Sequence, residues 1–294
     1  MSAEIIDGRA IAADIRGEVK SGAAELIEKY NTTPGLATVL VGANPASHQY
    51  VRMKRKACAE AGIESFHHEL PEETTQSDLL ALVEKLGADD KVHGILVQLP
   101  LPKQIDEEVI LNAVPLNKDV DGFHPLNIGA VAMKGRDPAF TPCTPNGVIE
   151  LIKRSGTEIS GANAVVLGRS NIVGMPAALL LIENNATVTV CHSRTKDAKS
   201  FMLNADILVA AIGKAGFVTA DMVKPGATVI DVGTNAIPDE TKKSGRRIVG
   251  DVDFEAVKEV AGKITPVPGG VGPMTIAMLL ANTLRSARKA AGAD

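Results

Sequence analysis

Tyr50 and Lys54 are the residues of this chain whose types and spacing first indicate chemistry. They stand four positions apart in a stretch with helical character, so both are predicted to lie on one face of a helix. A lysine whose pKa is lowered by desolvation or by neighbouring cations can move a proton or act as a nucleophile, and a tyrosine ring can stack on a planar heterocycle. The same segment also fits a plain exposed basic helix face, which would include Arg52, Arg55 and Lys56.

Gln98 and a pair of aspartates are further candidates. Gln98 ends an apolar, strand-like run just before Leu99-Pro100, where an amide can face a ligand or cap a neighbouring backbone group. Asp119 and Asp121 precede Gly122 in a polar loop. Two carboxylates there could bind an amide-bearing substrate or a cation, and turn formation by aspartate is the structural alternative.

The stretch Gly168–Pro176 indicates a phosphate site. A short apolar run ends at Gly168, Gly174 follows, and helix-forming sequence resumes after Pro176. A strand, a glycine turn and a helix start present backbone N–H groups to a phosphate, although the spacing departs from G-x-G-x-x-G and Ser170 replaces the middle glycine. A steric βα turn would look the same.

The next predicted strand favours NADP over NAD. It ends in Cys191-His-Ser-Arg-Thr195, without the carboxylate that holds a ribose 2′-OH in NAD-binding folds. Ser193 and Arg194, with Arg169 nearby, could instead bind a 2′-phosphate, because a guanidinium binds phosphate through two parallel hydrogen bonds. Alternatively, Arg194 is a solvated loop cation.

The elements that must position these residues alternate between strand and helix, which predicts an α/β fold with mostly parallel sheets. Ser47 is predicted to cap the helix that carries Tyr50 and Lys54. Residues 126–145, rich in glycine and proline, are predicted to be a loop at a domain boundary. The segment 266–275 is predicted to be a rigid glycine-proline loop before a final helix over 276–291. The predicted strands are 36–41, 65–70, 94–100, 163–167, 187–191, 206–212 and 228–232, and the main predicted helices are 10–30, 48–62, 75–86, 105–114, 146–154, 175–184 and 196–203.

Composition excludes several classes of protein. The 294 residues carry a net charge of −4, so there is no global basic field for nucleic acid or an anionic membrane. Three distant cysteines without a CxxC spacing indicate neither a disulfide framework nor a zinc site and fit a reducing compartment. The first residues are not typical of a signal peptide, and no apolar run has the length of a membrane span. We therefore expect a cytoplasmic protein with no metal.

Five stretches together resemble the bifunctional methylenetetrahydrofolate dehydrogenase/methenyltetrahydrofolate cyclohydrolase (FolD) family, in that family's order and over nearly the full chain. They are Ala46-Ser-His-Gln-Tyr-Val-Arg-Met-Lys54, Gly94-Ile-Leu-Val-Gln-Leu-Pro-Leu-Pro102, Lys118-Asp-Val-Asp-Gly-Phe-His124, Gly168-Arg-Ser-Asn-Ile-Val-Gly-Met-Pro176 and Pro268-Gly-Gly-Val-Gly-Pro-Met-Thr275.

The resemblance implies two reactions: NADP-dependent oxidation of 5,10-methylenetetrahydrofolate to the 5,10-methenyl cation, and hydrolysis of that cation to 10-formyltetrahydrofolate. It implies an N-terminal folate-binding catalytic domain over 1–142, with helix 276–291 packed back on it. It also implies a Rossmann-like NADP-binding domain over 143–294, with a cleft between the two. A cytoplasmic homodimer formed through the cofactor domain, serving one-carbon metabolism and purine biosynthesis, is expected too. With 294 residues, we expect no formyltetrahydrofolate synthetase domain of the kind found in longer relatives.

The resemblance also implies roles for individual residues. Lys54 matches the general acid/base of the hydrolysis, Gln98 its hydrogen-bonding partner, Tyr50 the ring that stacks on the folate, and Asp121 the carboxylate at the pterin's amino edge. The remaining matches are, near the substrate, Ser47, Pro268 and Gly269, and, near the cofactor, Gly168, Arg169, Ser170, Ile172, Ser193 and Thr275. Arg194 and Val232 are further candidate cofactor-binding residues.

Two alternatives stay open. One is a dehydrogenase with weak or absent cyclohydrolase activity, against which Lys54 and Gln98 argue. The other is a non-catalytic NADP-binding protein, which would give no reason for Tyr50, Lys54, Gln98 and Asp121 to occur together.

Overall fold

A computed structural model describes residues 2–133, 135–242 and 245–293 of the chain. Its strands are β1 (Glu4–Ile5), β2 (Gly35–Val41), β3 (Glu64–Leu70), β4 (Gly94–Val97), β5 (Asn163–Leu167), β6 (Thr187–Cys191), β7 (Ile207–Ala210), β8 (Thr228–Asp231), β9 (Asn235–Pro238), β10 (Arg246–Val249) and β11 (Lys263–Ile264). Its α-helices are α1 (Gly8–Tyr30), α2 (Pro45–Ala61), α3 (Gln76–Ala88), α4 (Glu107–Ala113), α5 (Pro125–Val131), α6 (Cys143–Arg154), α7 (Gly174–Glu183), α8 (Ala198–Met202), α9 (Phe254–Val257) and α10 (Val271–Ala290).

The chain forms two compact units, and neither is a continuous stretch of sequence. The first comprises the residues up to Ala12 together with Thr144–Thr275, and the second comprises Ala13–Cys143 together with the residues from Ile276 onward. Helices α1 and α10 each contain one of the division points.

The first unit is built on a six-stranded parallel sheet with the order β1-β11-β8-β7-β5-β6. Its central strands β5, β7 and β8 are buried over nearly their whole length, as expected where both faces of a parallel sheet are covered. Helix α7 packs against β5 and β6. Since the strands are parallel, their carboxyl ends meet at one edge, which is where ligands bind in such folds.

The second unit has a three-stranded parallel sheet with the order β3-β2-β4. Strand β2 is buried throughout, α2 packs on β2 and β3, and α3 packs on β4. Thr75 caps α3 by accepting a hydrogen bond from the Asp78 amide, and Asp106 caps α4 in the same way. The carboxyl ends of β2 and β4 and the start of α2 therefore meet at one edge of this sheet.

The long elements are predicted correctly and several short ones are not. Residues 126–145 are not wholly a loop, because α5 occupies Pro125–Val131 and α6 begins at Cys143. The final helix begins at Val271 rather than at 276, so most of the predicted rigid loop at 266–275 is the first turn of α10 and the turn before it. The prediction of Ser47 as a helix cap is wrong: α2 starts at Pro45, and the Asn44 side chain accepts the hydrogen bond from the Ser47 amide at 3.2 Å.

In the parts of the chain that the structure describes, no helix is both long and apolar enough to cross a membrane. The same residues contain no cluster of three or more His, Cys, Asp or Glu side chains that could hold a metal ion. Cys58, Cys143 and Cys191 are free thiols, and all three are buried.

Candidate active site and cofactor site

Lys54 is the centre of a buried polar cluster in the second unit. Its side chain lies on α2 and the residue is only 7% exposed. Its Nζ donates a hydrogen bond of 3.0 Å to Oε1 of Gln98, the residue that follows β4. The Gln98 amide group is itself fixed, because its Nε2 donates to the carbonyl of Leu99 at 2.8 Å. The structure thus brings together two predicted residues that are 44 positions apart.

Burial lowers the pKa of Lys54, because a charged ammonium loses its hydration inside the protein. The neighbouring Asp121 carboxylate, and to a smaller extent Cys143 and Cys58, oppose this shift. A lysine held in this balance can give up its proton more readily than one in water. That property suits a group that must both take and return a proton near neutral pH.

Asp121 is the third member of this cluster. Burial raises the pKa of its carboxyl, while the Lys54 ammonium and, to a smaller extent, the neighbouring Cys143 thiol lower it. Cys143 is fully buried, its Sγ donates to the carbonyl of Val120 at 3.3 Å, and burial raises its thiol pKa well above the ordinary value. The thiol therefore stays neutral beside the carboxylate.

Two cysteines that were not predicted as site residues, Cys58 and Cys143, border Lys54. Cys58 had a usable signal, because it follows Lys54 by four positions and so continues the helix face that carries Tyr50. Burial raises its pKa to about 12, which makes it a neutral neighbour. Cys143 had no such signal, because only the fold brings the start of α6 to Asp121.

Tyr50 and Ser47 lie on the same helix as Lys54 but differ in accessibility. The ring of Tyr50 is 46% exposed, one helical turn before Lys54, and is therefore available for stacking. Ser47 is buried, one turn before Tyr50. The predicted helix face thus runs from a buried hydroxyl through an exposed ring to a buried amine.

Asp119 shapes the loop and leaves Asp121 to face Lys54. Its carboxylate accepts hydrogen bonds from the amides of Phe123 and His124, at 3.2 and 2.9 Å, and from Nδ2 of Asn127 at 2.7 Å. Burial raises its pKa to about 6 in spite of these bonds. Of the two aspartates in this loop, Asp119 therefore fits the turn-forming alternative.

The stretch from Gly168 to Pro176 forms the strand–turn–helix predicted for it. Gly168 follows β5 with φ +123°, and a Cβ there would lie 2.1 Å from the Ala211 carbonyl oxygen. A Cβ on Gly174 would lie 2.4 Å from the Gly168 oxygen, so both glycines are required by close backbone contact. Oγ of Ser170 accepts hydrogen bonds from the amides of Val173 and Gly174 and so shapes the start of α7.

Exposed cationic and hydroxyl groups stand beside this turn. Leu167 of β5 pairs with Cys191 of β6, and the Gly168 amide donates to the Cys191 carbonyl at 2.8 Å. Arg169 and Ser193 therefore follow neighbouring strand ends, and both are exposed, as is Arg194. The Arg194 amide donates to Nδ1 of His192, which fixes the backbone of this second turn.

These features fit a dinucleotide that carries a 2′-phosphate. The glycines allow the backbone to come close to a diphosphate at the helix start, and the end of β6 offers a hydroxyl and guanidinium groups where an NAD-specific site has a carboxylate. The side chain of Ile172 is 47% exposed next to the turn. Val232 follows β8, at the same edge of the sheet, and its amide donates to the Ala210 carbonyl.

The other predicted residues of the first unit lie in the segment that leads into α10. Pro268 is exposed, whereas Gly269 is buried with φ +118°, a conformation that favours glycine. Thr275 lies inside α10, and its Oγ1 is 2.9 Å from Oγ1 of Thr144 on α6. The hydroxyl that was predicted to line the cofactor site thus also joins two helices.

These features define the class of protein, a nucleotide-dependent enzyme with acid–base chemistry. One unit has a parallel six-stranded sheet with a glycine turn at its carboxyl edge, and the other has a buried lysine whose pKa is lowered.

Two family models match the chain. The tetrahydrofolate dehydrogenase/cyclohydrolase catalytic domain matches residues 6–121, and the NAD(P)-binding domain of the same enzymes matches residues 142–291.

Known proteins match over nearly the whole chain. Bifunctional protein FolD 2 of Arabidopsis thaliana is 58% identical over 291 residues, covering 99% of this chain and 97% of that protein. Bifunctional protein FolD of Dehalococcoides mccartyi (strain ATCC BAA-2266 / KCTC 15142 / 195) is 56% identical and covers 99% of both. The crystal structure of a methylenetetrahydrofolate dehydrogenase-cyclohydrolase from Trypanosoma brucei, complexed with NADP and an inhibitor, superposes with a TM-score of 0.94 at 44% identity over 98% of each chain.

The chain belongs to the tetrahydrofolate dehydrogenase/cyclohydrolase family. The predicted family, the two-domain α/β fold class and the pairing of a dehydrogenase with a cyclohydrolase are therefore confirmed.

The titration of Asp119 gives a prediction for stability. Its pKa is about 6 in the folded protein against 3.8 ordinarily, so the folded state binds more protons between these values and stability falls as pH rises through that window. Replacement by asparagine removes the titration. The excess stability of the wild type over Asp119→Asn should therefore shrink by up to about 3 kcal/mol from pH 4 to pH 7, measured by urea unfolding.

Asp106→Asn, which alters an exposed helix cap on α4, is the matched control for the substitution. A wild-type advantage over Asp119→Asn that stays constant or grows across this pH range would contradict the assignment.

Proposed function

We propose that this protein oxidises 5,10-methylenetetrahydrofolate with NADP⁺ and then hydrolyses the 5,10-methenyl product to 10-formyltetrahydrofolate. The observation that carries the proposal is the buried Lys54 amine, hydrogen-bonded to Gln98 and neighbouring Asp121. The Trypanosoma brucei relative, which was solved with NADP, supports the choice of cofactor. The folate-binding catalytic domain is assigned to 1–142 and the NADP-binding domain to 143–294. Hydrogen bonds from Asn282 of α10 to the carbonyls of Val120 and Thr141 support packing of helix 276–291 on the folate-binding part.

The two reactions ask different things of the protein. When bound, NADP⁺ accepts the hydride that leaves the methylene carbon, and this step needs positioning rather than a protein acid. The hydrolysis adds water to the methenyl carbon, and of the two protons that the water gives up, one goes to the ring nitrogen whose bond breaks and the other is released. Lys54, with its lowered pKa, is the proposed carrier of both protons.

The neighbours of Lys54 have supporting roles in this proposal. Gln98 holds the amine in place through its Oε1, and Asp121 holds the amino edge of the pterin. The exposed ring of Tyr50 stacks on the folate, and the buried Ser47 lies one turn earlier on the same helix. Pro268 and Gly269 give the substrate a close approach to backbone. The exposed cations of α2, Arg52 in particular, attract the anionic glutamate tail of the folate.

At the carboxyl edge of the six-stranded sheet, the diphosphate binds the turn of Gly168 and Ser170, with Ile172 beside it. The 2′-phosphate belongs to Arg169, Ser193 and Arg194, whose side chains are exposed at the ends of β5 and β6. Val232 and Thr275 complete the cofactor contacts.

Lys54→Met should lower the rate of methenyltetrahydrofolate hydrolysis at least about 100-fold, because proton transfer by a positioned side chain contributes that much or more. NADP⁺-dependent oxidation should continue, and the methenyl product should accumulate. Absorbance of the methenyl compound, followed with and without NADP⁺, measures both steps in one purified sample.

Lys56→Met is the control, because Lys56 lies two residues further along α2 with its side chain 78% exposed. Intact hydrolysis in Lys54→Met would refute the assignment of Lys54. Wild-type protein that oxidises but scarcely hydrolyses would favour the dehydrogenase alternative, and protein that binds NADP⁺ without turnover would favour the non-catalytic one.

Arg169→Ala should raise the KM for NADP⁺ about tenfold or more, because a guanidinium–phosphate contact is lost, while the KM for NAD⁺ stays nearly unchanged. Initial rates with each cofactor at saturating folate measure this. Arg247→Ala is the control, since Arg247 lies on β10 and pairs with Asp239. An equal rise in KM for both cofactors would contradict the assignment of the 2′-phosphate to Arg169.

We also propose that the protein is a cytoplasmic homodimer in the one-carbon metabolism that feeds purine biosynthesis, formed through the cofactor-binding unit. Strand β6 ends the six-stranded sheet, and exposed apolar side chains accompany it: Ile182, Phe201 and Leu203. An open strand edge beside apolar surface favours self-association.

Phe201→Glu should therefore convert the dimer to a monomer at micromolar concentration, as measured by light scattering after size-exclusion chromatography. Ile5→Glu is a matched control, because Ile5 is 46% exposed on β1 at the opposite end of the same sheet. A dimer that survives Phe201→Glu, or that dissociates with Ile5→Glu instead, would reject this edge as the interface.

A further inference from the structure

Two buried carboxylates, Asp231 and Asp251, organise the carboxyl edge of the six-stranded sheet. Asp251 is completely buried, and its carboxylate accepts hydrogen bonds from three consecutive backbone amides: Ile212 at 2.7 Å, Gly213 at 2.9 Å and Lys214 at 2.8 Å. A fourth bond of 2.9 Å comes from Nδ2 of Asn235. The segment that follows β7 is thus held by one side chain 37 to 39 residues further along the chain.

Asp251 is in turn held by Asp231, the last residue of β8. The Asp231 carboxylate accepts hydrogen bonds of 2.9 Å from the amides of Gly233, Asp251 and Val252. The amide of Asp231 donates to Oγ1 of Thr265, so the strand end itself is also fixed. Hydrogen bonds therefore link the end of β8 to Asp251 through Asp231, and link Asp251 to the segment after β7.

Glycines make this arrangement possible. A Cβ on Gly250 would lie 1.7 Å from Oδ2 of Asp231, and a Cβ on Gly233 would lie 2.4 Å from the amide nitrogen of Asp251. Both positions are limited to glycine by contact with the carboxylate network. The backbone therefore packs closely against the carboxylate network at more than one position.

The held segment, residues 212–214, adjoins a residue that packs directly against the Gly168 turn. Ala211, which precedes Ile212, donates its amide to the Leu167 carbonyl at 2.8 Å, and its own carbonyl oxygen is the atom that a Cβ on Gly168 would strike. Any shift of residues 212–214 would therefore move the wall against which the Gly168 turn is packed.

We propose that Asp251 is a positioning residue for NADP, which fixes the Ile212–Lys214 backbone against the Gly168 turn, with Asp231 holding Asp251 in place. A carboxylate suits this task because it only accepts hydrogen bonds and can satisfy several amides at once. The inference rests on the proposed position of NADP at this edge of the sheet.

The test is Asp251→Asn in the full-length protein. Asparagine places an amide NH₂ group where two N–H donors now find an oxygen, so the segment should loosen. The dissociation constant for NADP⁺, measured by isothermal titration calorimetry, should rise about tenfold. In the protein without cofactor, the amides of residues 212–214 should exchange hydrogen faster. Hydrolysis of methenyltetrahydrofolate, which needs no NADP⁺, should stay within about twofold of the wild type.

Asp253→Asn is the matched control, because the exposed Asp253 carboxylate only caps α9 through the Ala256 amide. It should leave NADP⁺ affinity, amide exchange at 212–214 and hydrolysis unchanged. Wild-type NADP⁺ affinity in Asp251→Asn would overturn the inference. So would a parallel loss of NADP⁺ binding and hydrolysis, since that would make Asp251 a general structural residue.

Asn235→Ala provides a milder test if Asp251→Asn does not fold, because it leaves the carboxylate in place and removes one donor to it, along with a longer bond of 3.5 Å to the Val249 carbonyl. It should weaken NADP⁺ binding about threefold with hydrolysis retained, and unchanged binding would overturn the inference. Failure of the underlying cofactor assignment would look different. In that case Arg169→Ala would fail to discriminate between NADP⁺ and NAD⁺, whatever the behaviour of the Asp251 variants.

Discussion

The removal of the Lys54 ammonium from water is the constraint on which the second unit depends. A buried cation is costly unless polar partners replace its hydration, and here the partners come from different places in the chain. Gln98 stands at the end of β4, and Asp121 stands in a loop that Asp119 shapes through three hydrogen bonds. The adjacent Val120 carbonyl accepts from both Asn282 and Cys143. The surroundings of the lysine are therefore fixed by the fold, while its lowered pKa follows from its burial.

The first unit addresses a different physical problem, which is to bring backbone close to an anionic ligand. Parallel strands end at a common edge, so the turns after β5, β6, β7 and β8 all meet there. In the proposed cofactor site, glycines give the close approach and exposed guanidinium groups give the charge. What keeps such turns in place is a set of buried carboxylates, and burial raises the pKa of one of them, Asp231, to about 6. Negative charge thus lies beneath an edge that presents positive charge outward.

The sequence predicted much of the fold, because buried strands such as β2 and β5 and the long helices have clear periodicity and clear stops. It did not predict β1 and β11, since two-residue strands carry no pattern, nor α5, which begins at a proline in a polar loop. The paired positions of Lys54 and Gln98 followed from the family resemblance and not from spacing. Asp231 and Asp251 were missed because their partners are backbone amides, which leave no trace in side-chain chemistry.

The interleaved composition of the two units has a consequence for how the chain acquires its structure during synthesis. The amides of Ala3, Glu4 and Ile6 donate to the carbonyls of Lys258, Gly262 and Ile264, so β1 pairs with β11, a strand that is synthesised much later. The second unit likewise receives its final helical segment only after residue 276. Domains that are continuous in sequence can fold one after another as they emerge. Here both units need residues near the boundary at Thr275 and Ile276, so they are completed at nearly the same time.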